Sequence, residues 1–575
     1  MDLINLELFK IDSLSTFVGV FVGLFTLLTV IYSFGFMDKK KGLFSYYFYI
    51  ILTLVASLGV VFSNDLVLFM VFWGFLGILL YLLIGVGEKP NTSKTSKKAL
   101  IIVGGADALM LLGLALIWHL TGTFKMDGMR IPLNSAEAIW AYLLLAIGAF
   151  AKAGVMPFHS WVPDTAEDAL TPVTAYLPAS LDKLLGIYFL VRLTLNMFVM
   201  NLDMNTFLMA VGSFTIIAAV MMALIQNDFK RLLGYLAVSS AGYMVLGLGT
   251  GNFIGIAGGL FYMLNGAICM SCLFMTCGSV EKNVRTMDLD KLGGFAKIMP
   301  ITFITFVIAS LAISGVPPFN GFASKWMIYQ GIINVGKNGG SLWMLWLVAT
   351  MFGSALTLAS FMKLIHAVFL GQPSPENPAR KDLAGGRIPK SPLISPKSSH
   401  GDRAEHREVN PVMWVPTVIL AVLCVVFGVF AYQVPLKMFI LPSLKMAVNF
   451  SGTWNATLAT LLMLVSIAIG IIIYFLGTIT KTRETESFVG GEVLKEHPDM
   501  RVSGVELYNT VQDIKSLKTI YNMAKNKAFD LYEVVSKIVF GINKILRYMH
   551  NGILPTYLAW CLLGMGILFY VLILR

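Results

Sequence analysis

Ala151 to Tyr188 reads AKAGVMPFHSWVPDTAEDALTPVTAYLPASLDKLLGIY. This stretch decides the fold. It sets two lysines, Lys152 and Lys183, in otherwise apolar helical runs, with Pro157, Pro163, Pro172 and Pro178 between them. Proline inside a helix removes a backbone hydrogen bond and clashes with the preceding turn, so one continuous helix is not expected. A lysine at the centre of a bilayer costs at least about 2.5–3.5 kcal/mol on insertion scales. A membrane chain that keeps two of them beside broken helices is predicted to use them to move charge.

Composition puts this stretch in a membrane. Of 575 residues, 57% are hydrophobic and only 13% charged, and the mean hydropathy is +0.76. That excludes a soluble multidomain protein, and many runs approach the ~20 residues that cross a bilayer. Fourteen spans are predicted. The first nine are Leu14–Phe36, Leu43–Val61, Leu66–Gly87, Ala99–Leu120, Ala138–Val155, Thr171–Met197, Thr206–Ile225, Leu232–Leu248 and Phe253–Val280. The tenth starts at Ile301, is interrupted at Gly315–Gly321 and resumes to Gly331. Leu342–Leu370, Val415–Tyr432, Ala456–Leu476 and Ile553–Leu574 complete the set. Val434–Val448 is apolar but short, holds two prolines and reads as interfacial.

The formal charge of +11 is a topology signal and predicts no nucleic-acid partner. Alternate loops carry Lys39 to Lys41, Lys89, Lys94, Lys97 and Lys98, then Lys230 and Arg231, Lys282, Arg285, Lys291 and Lys297. The opposite loops hold few: Lys125, Arg130, Lys337, Lys437 and Lys445. By the positive-inside rule the first set is cytoplasmic, which predicts a multi-pass cell (plasma) membrane protein with both termini outside. One loop runs against the rule. It carries Asp164, Glu167 and Asp168, and folding back into the bundle would explain it. The stretch from Gly371 to Asn410, rich in Pro, Ser, Lys and Arg, reads as a flexible cytoplasmic excursion. All five cysteines lie in apolar runs. Cys269 and Cys272 form a CxxC inside a helix with no second pair to complete a metal site, so they read as small buried side chains.

Gly154-Val155-Met156-Pro157-Phe158-His159 resembles Gly315-Val316-Pro317-Pro318-Phe319-Asn320. One copy interrupts the fifth helix and the other the tenth. Five helices is an odd number, so the copies have opposite orientation, and inverted repeats with broken helices belong to ion and solute transport. A further signal lies between Leu507 and Met549, which contains no proline. Apolar residues recur there at steps of three and four, while Lys515, Lys518, Lys525, Lys527, Lys537, Lys544 and Arg547 cover the rest. One helix of that length would reach roughly 65 Å. It is too polar to span and is predicted to lie along the cytoplasmic membrane surface or along neighbouring subunits.

The expected fold is an all-α polytopic membrane protein. It has about fourteen transmembrane helices, two inverted five-helix repeats with broken helices, and a long amphipathic lateral helix. Its parts are N-terminal helices (1–63), the first repeat (64–197), the second repeat (198–371), the loop (372–410), C-terminal helices (411–480), a cytoplasmic segment with the lateral helix (481–550) and a final span (551–575).

The run from Lys152 through PFHSWVPD and TPVTAYLPASLDKLLGIY resembles the antiporter-like, ion-translocating subunits of respiratory complex I and its relatives. So do Asp228-Phe229-Lys230-Arg231-Leu232-Leu233-Gly234-Tyr235 with Gly242-Tyr243-Met244, and SGVPPFNGFASKW at Ser314–Trp326. Those relatives include multisubunit cation/proton antiporters, membrane-bound energy-converting hydrogenases and sulfane sulfur reductases. The tail, with FVGGE at Phe488–Glu492, looks most like the hydrogenase or sulfane reductase branch.

The resemblance implies roles. Lys152 matches the central lysine, Lys183 the bridging lysine on the next helix, and Lys325 the terminal lysine beside the second break. Asp107 matches an intramembrane aspartate, and His159 and Asp164 the polar turn after the first break. Two departures stand out. The glutamate that partners the central lysine aligns with Gly74, and the histidines of the ninth helix with Tyr262 and Gly266.

Asp107 or Asp182 is expected to replace that glutamate, because a nearby carboxylate raises a buried lysine's proton affinity and its distance switches it. A fixed Asp182–Lys183 ion pair and a packing role for Asp107 are the plainer alternatives. Lys363 and His366, one turn apart, form either a relay to water or a snorkelling lysine beside a core histidine.

The function implied is a proton- or sodium-translocating subunit of a membrane-bound respiratory oxidoreductase complex, working with other membrane subunits in the lipid bilayer. No iron–sulfur framework or nucleotide fingerprint occurs in this chain. Iron–sulfur clusters and a metal centre are therefore expected in partner subunits. The alternatives are a redox-independent cation/proton antiporter subunit, or an ion-inactive structural subunit disabled by the Gly74 and Tyr262 changes.

Overall fold

The computed structural model describes residues 8–38, 42–284, 286–340, 342–371, 408–444, scattered positions between 458 and 472, 505–550 and 552–574. Most of the loop at 372–410, about half of the predicted span Ala456–Leu476, and the FVGGE segment lie outside the described residues. These residues fall into two compact units, divided between Ile514 and Lys515.

The first unit is a helical bundle whose helices start on polar caps. α1 (Ser13–Phe36) begins with a capping box in which Asp12 and Ser15 bond each other's backbone N–H, satisfying donors that helix starts leave open. α2 (Leu43–Phe62), α3 (Leu66–Gly85) and α4 (Thr92–Thr121) follow. α5 (Ala136–Ala153) starts on the Ser135 hydroxyl. α6 (Trp161–Asp168) and α7 (Thr171–Tyr176) are short, and a wide turn at Leu177–Leu181 leads into α8 (Asp182–Val191). Then come α9 (Leu202–Leu224), α10 (Phe229–Gly249) and α11 (Phe253–Val284). α12 (Pro300–Ser314), α13 (Asn320–Lys337), α14 (Trp343–Leu364, continuing in a wide turn to Leu370) and α15 (Pro411–Val429) complete the bundle.

α10 and α11 are its axis. Every residue of the most apolar window of α10, and 94% of that of α11, is buried inside the protein. α2, α4 and α14 cover less and turn Phe44, Leu111, Trp118 and Val348 outward, as lipid-facing helices do. The distorted helix at 432–444 lays Phe439 5.8 Å and 5.4 Å from the rings of Phe17 and Phe21.

Eleven helices are long and apolar enough to cross a membrane among the described residues. The three other predicted spans have separate outcomes. Thr171–Met197 is divided by the wide turn at Pro178, the tenth is split into α12 and α13, and the thirteenth is described only at scattered positions between 458 and 472, which are helical.

The single helix predicted over Leu507–Met549 is instead three: α16 (Glu506–Asp513), α17 (Lys515–Lys525) and α18 (Leu531–Met549). α17 and α18 belong to the second unit, which ends in α19 (Leu554–Leu574). Lys527 is left-handed, with φ 56°, and Ala528 N–H reaches back to Met523 O at 2.9 Å. This is a helix-ending motif. Asp530 then caps α18 by accepting from Tyr532 N–H at 3.1 Å. Apolar spacing is blind to such caps. At 1.5 Å per residue the longest piece spans about 29 Å, not 65 Å.

Candidate ion pathway

Two helix breaks position the lysines. α5 ends where Gly154 turns left-handed, with φ 74°, and α12 ends where Gly315 does, with φ 89°. A side chain is strained in that conformation. After each glycine the next N–H reaches back to close the helix end, Val155 to Phe150 O at 2.9 Å and Val316 to Leu311 O at 3.0 Å. A tight turn follows around Pro157 in one case and Pro317 and Pro318 in the other, closed by Phe158 N–H to Val155 O and Phe319 N–H to Val316 O. The repeat seen in the sequence is therefore one helix-breaking device used twice. It leaves Lys152 in the last turn before the first break and Lys325 in the second turn after the other.

Lys152 is fully buried. Its Nζ makes no hydrogen bond, lies 4.0 Å from Asp182 Oδ1 and stands 5.1 Å from the Trp73 ring centroid. Asp182 Oδ2 is also without a hydrogen bond. The fixed Asp182–Lys183 pair considered above does not form, since consecutive residues on a helix do not face each other. Asp182 faces Lys152, while Lys183 Nζ donates to Ser240 Oγ at 3.0 Å.

Asp107 reaches the same centre through Trp73. The indole Nε1–H donates to Asp107 Oδ1 at 2.8 Å, which joins Asp107 to the ring that Lys152 stands over. Gly74 is half-buried, with no atom within 4 Å of where a Cβ would sit. A Cβ at Gly77, one turn on, would lie 3.6 Å from Asp107 Oδ2. The carboxylate thus arrives from α4 against α3, while Gly74 itself turns away.

Lys325 is equally buried. Its Nζ lies 4.5 Å from the Tyr243 ring centroid and 5.7 Å from that of Tyr262, within the range of a cation–π contact, and donates to Ser314 O at 3.3 Å. Tyr243 O–H bonds Thr350 O at 2.8 Å, and Ser354 Oγ lies within hydrogen-bond reach of both Tyr243 and Tyr329. Ser240 and Tyr243 are one turn apart on α10. Contacts therefore join Asp107, Trp73, Lys152 and Asp182 at the first break, and Lys183 with Ser240 and Lys325 with Tyr243 beyond it, while the backbone alone links Asp182 to Lys183 on α8 and Ser240 to Tyr243 on α10.

Trp73, Ser240 and Tyr243 were not among the residues singled out from sequence. The available signals were Trp73 beside Gly74 and Tyr243 within its Gly-Tyr-Met motif. A Cβ at Gly266, the second histidine position of the resemblance, would lie 2.7 Å from Met244 Cε.

The remaining candidates lie elsewhere. Asp164 pairs with Lys98 at 2.7 Å and Arg231 at 3.2 Å. Arg231 also pairs with Glu167, Asp168 accepts from Thr95 Oγ1 at 2.5 Å, and Lys230 donates to Ala169 O at 2.8 Å while pairing with Glu281 at 3.3 Å. The acidic loop is thus helix α6, folded against basic ends of α4 and α10. His159 is buried, its ring 6.5 Å from that of Tyr235.

Lys363 and His366 have different surroundings. Lys363 is buried, with Nζ on Leu224 O at 2.9 Å and Gln226 O at 2.8 Å, capping the end of α9. His366 is exposed. Among the described residues, no cluster of His, Cys, Asp and Glu is arranged to hold a metal ion.

A profile of the NADH:quinone oxidoreductase/Mrp antiporter transmembrane family matches residues 63–357. The chain belongs to that family. The NADH:quinone oxidoreductase/Mrp match takes in both breaks and the contacts from Asp107 to Lys325, and stops before Lys363.

Among curated relatives, the Na(+)/H(+) antiporter subunit A1 of Staphylococcus epidermidis is 32% identical over 425 residues, covering 70% of this chain and 50% of that protein. The corresponding subunit of Staphylococcus haemolyticus is 30% identical over 449 residues, covering 74% and 52%. The chain spans about half the length of these relatives.

Among solved structures, a chain of the membrane-bound sulfane sulfur reductase, an archaeal respiratory membrane complex, aligns with TM-score 0.77 at 22% identity, covering 99% of this chain and 89% of that one. A chain of the Mrp complex from Dietzia sp. DQ12-45-1b aligns with TM-score 0.64 at 23% identity, covering 76% and 86%. At those identities the likeness is one of fold.

Proposed function

We propose that this chain is the proton- or sodium-translocating, antiporter-like subunit of a membrane-bound respiratory oxidoreductase complex of the hydrogenase, sulfane reductase or complex I type. The observation that carries the proposal is the buried run from Lys152 to Lys325, with Lys152 and Asp182 charged groups that approach without bonding. Burying such groups is costly, and leaving them unlocked suits groups that exchange a proton. Asp182, with Asp107 behind Trp73, takes the part of the glutamate absent at Gly74. Two carboxylates at the central lysine argue against an ion-inactive structural subunit.

The redox chemistry, with its iron–sulfur clusters and metal centre, belongs in this reading to partner subunits. The basic loops face the cytoplasm of a cell membrane, both termini face out, and the segments α16 to α18 lie on the cytoplasmic side. Support for the respiratory branch is that the likeness to the sulfane reductase chain runs over the tail as well as the bundle. A second reading, subunit of a redox-independent cation/proton antiporter, is favoured by the sequence identity to Na(+)/H(+) antiporter A1 subunits.

Inside-out membrane vesicles bearing the complex separate the two. The respiratory reading expects a proton or sodium gradient that forms only while an electron donor is oxidised. A gradient of one ion that drives the other with no electron flow selects the antiporter. No ion movement in either assay overturns both.

A further inference from the structure

The CxxC of α11 does not act as a pair. Cys272 Sγ turns to Thr417 O at 3.4 Å and Thr305 O at 3.8 Å. Cys269 Sγ instead lies 3.6 Å from the sulfur of Cys424 on α15. Both are free thiols, both fully buried, and 155 residues apart in the chain.

Their place in the fold gives the proximity meaning. Cys269 Sγ lies 3.7 Å from Asn320 Oδ1, at the first residue of α13. Asn320 Nδ2 is buried and has no hydrogen-bond partner. On α15, one turn beyond Cys424, Gly428 is pressed against the second break: a Cβ there would stand 2.1 Å from Pro318 O and 2.6 Å from Asn320 N. The start of α13 is therefore held between α11 and α15, at the level of the two sulfurs and five residues before Lys325.

We propose that Cys269 and Cys424 form a redox-modification site, whose oxidation to a disulfide by a small uncharged peroxide clamps α11 to α15 around the second break and stops ion transfer at Lys325. This rests on the translocation reading only for its last clause. One sulfur attacks a peroxide oxygen, forming an S–O bond as the O–O bond breaks, and the thiol proton leaves with the departing oxygen as water. The other sulfur then attacks the sulfenic acid, forming the S–S bond as the S–O bond breaks and a second water leaves. Two thiols are oxidised and one peroxide is reduced. A disulfide requires the sulfurs to close to about 2.05 Å, a movement that cannot leave tightly packed neighbours where they were.

The test uses membranes holding the full chain with its native partner subunits, treated with hydrogen peroxide. Mass spectrometry is expected to find a Cys269–Cys424 linked peptide, lighter by two hydrogens than the sum of its parts. Ion translocation should be lost with it and recover on adding dithiothreitol. Cys424→Ala, or Cys269→Ala should the first not assemble, should keep translocating after peroxide.

Two free, alkylatable thiols after treatment would overturn the site. A linked peptide with undiminished translocation would overturn the clamp. The linked peptide is read by mass whether or not the untreated chain moves ions. A chain that links but never translocates therefore counts against the translocation reading and for the thiol site.

Discussion

Lys152 Nζ and Asp182 Oδ1 face each other across α5 and α8 at 4.0 Å, with no hydrogen bond to either Nζ or the second carboxylate oxygen. A contact this loose responds to small movements. Closing it favours both charges and opening it disfavours them, so in the proposed reading a small shift of α8 is what passes a proton on.

Asp182 is accordingly expected to matter more than Asp107. Asp107 already shares its charge with the Trp73 indole, whereas Asp182 faces Lys152 with its Oδ2 unbonded among the described residues. Asp182→Asn should slow ion translocation strongly, and Asp107→Asn should slow it less. Rates measured side by side in vesicles check the order, and equal or reversed losses refute it.

Lys152→Ala and Lys325→Ala should each abolish translocation while the subunit still assembles, because each removes the only cation at its break among the contacts described. Gradient formation with a blot of the intact complex reads both halves. Normal gradients in the two variants would sink the pathway from Lys152 to Lys325.

A third expectation concerns stability. Arg192 grips Asp12 with two bonds, 2.6 and 2.7 Å, and also donates to Tyr188 O–H, which in turn bonds Val61 O. Removing one partner of a buried pair costs about 3–5 kcal/mol, so Arg192→Leu should lower the unfolding midpoint in detergent without touching the ion contacts. Burial pushes the Asp12 carboxyl up, but Arg192 and Ser15 outweigh it and hold the group down at about 2. The folded value lies below that of the unfolded chain, about 3.9. The pair's stabilisation is therefore complete above about pH 4 and lost as pH falls toward 2. The gap between native and Arg192→Leu midpoints should narrow over that window.

Lys363 is expected to behave as a cap. Lys363→Ala leaves Leu224 O and Gln226 O without their donor, a loss of about 1–3 kcal/mol for groups left unsatisfied, while translocation by the protein that remains folded should persist. His366→Ala should be silent in both assays. A transport defect in either variant at normal stability would favour the relay instead.

The helices and both breaks were legible in the sequence because apolar length, proline and a glycine-bearing repeat act locally. The partner of the central lysine was legible only as a choice between Asp107 and Asp182, since choosing requires knowing which face of α8 meets α5. Trp73 and Ser240 were hidden for a different reason: an indole and a hydroxyl in apolar helices look like ordinary packing until a charge is found beside them. The partners of Asp164 and Lys363 were not legible either, because they come from other helices: Lys98 and Arg231 hold the first, and Lys363 sits on carbonyls at the end of α9.

The left-handed Lys527 and the cap at Asp530 divide α17 from α18. A chain jointed there folds up when pushed from its ends and straightens when pulled. A segment with such a joint is built to carry tension rather than thrust, as a strap does and a piston does not.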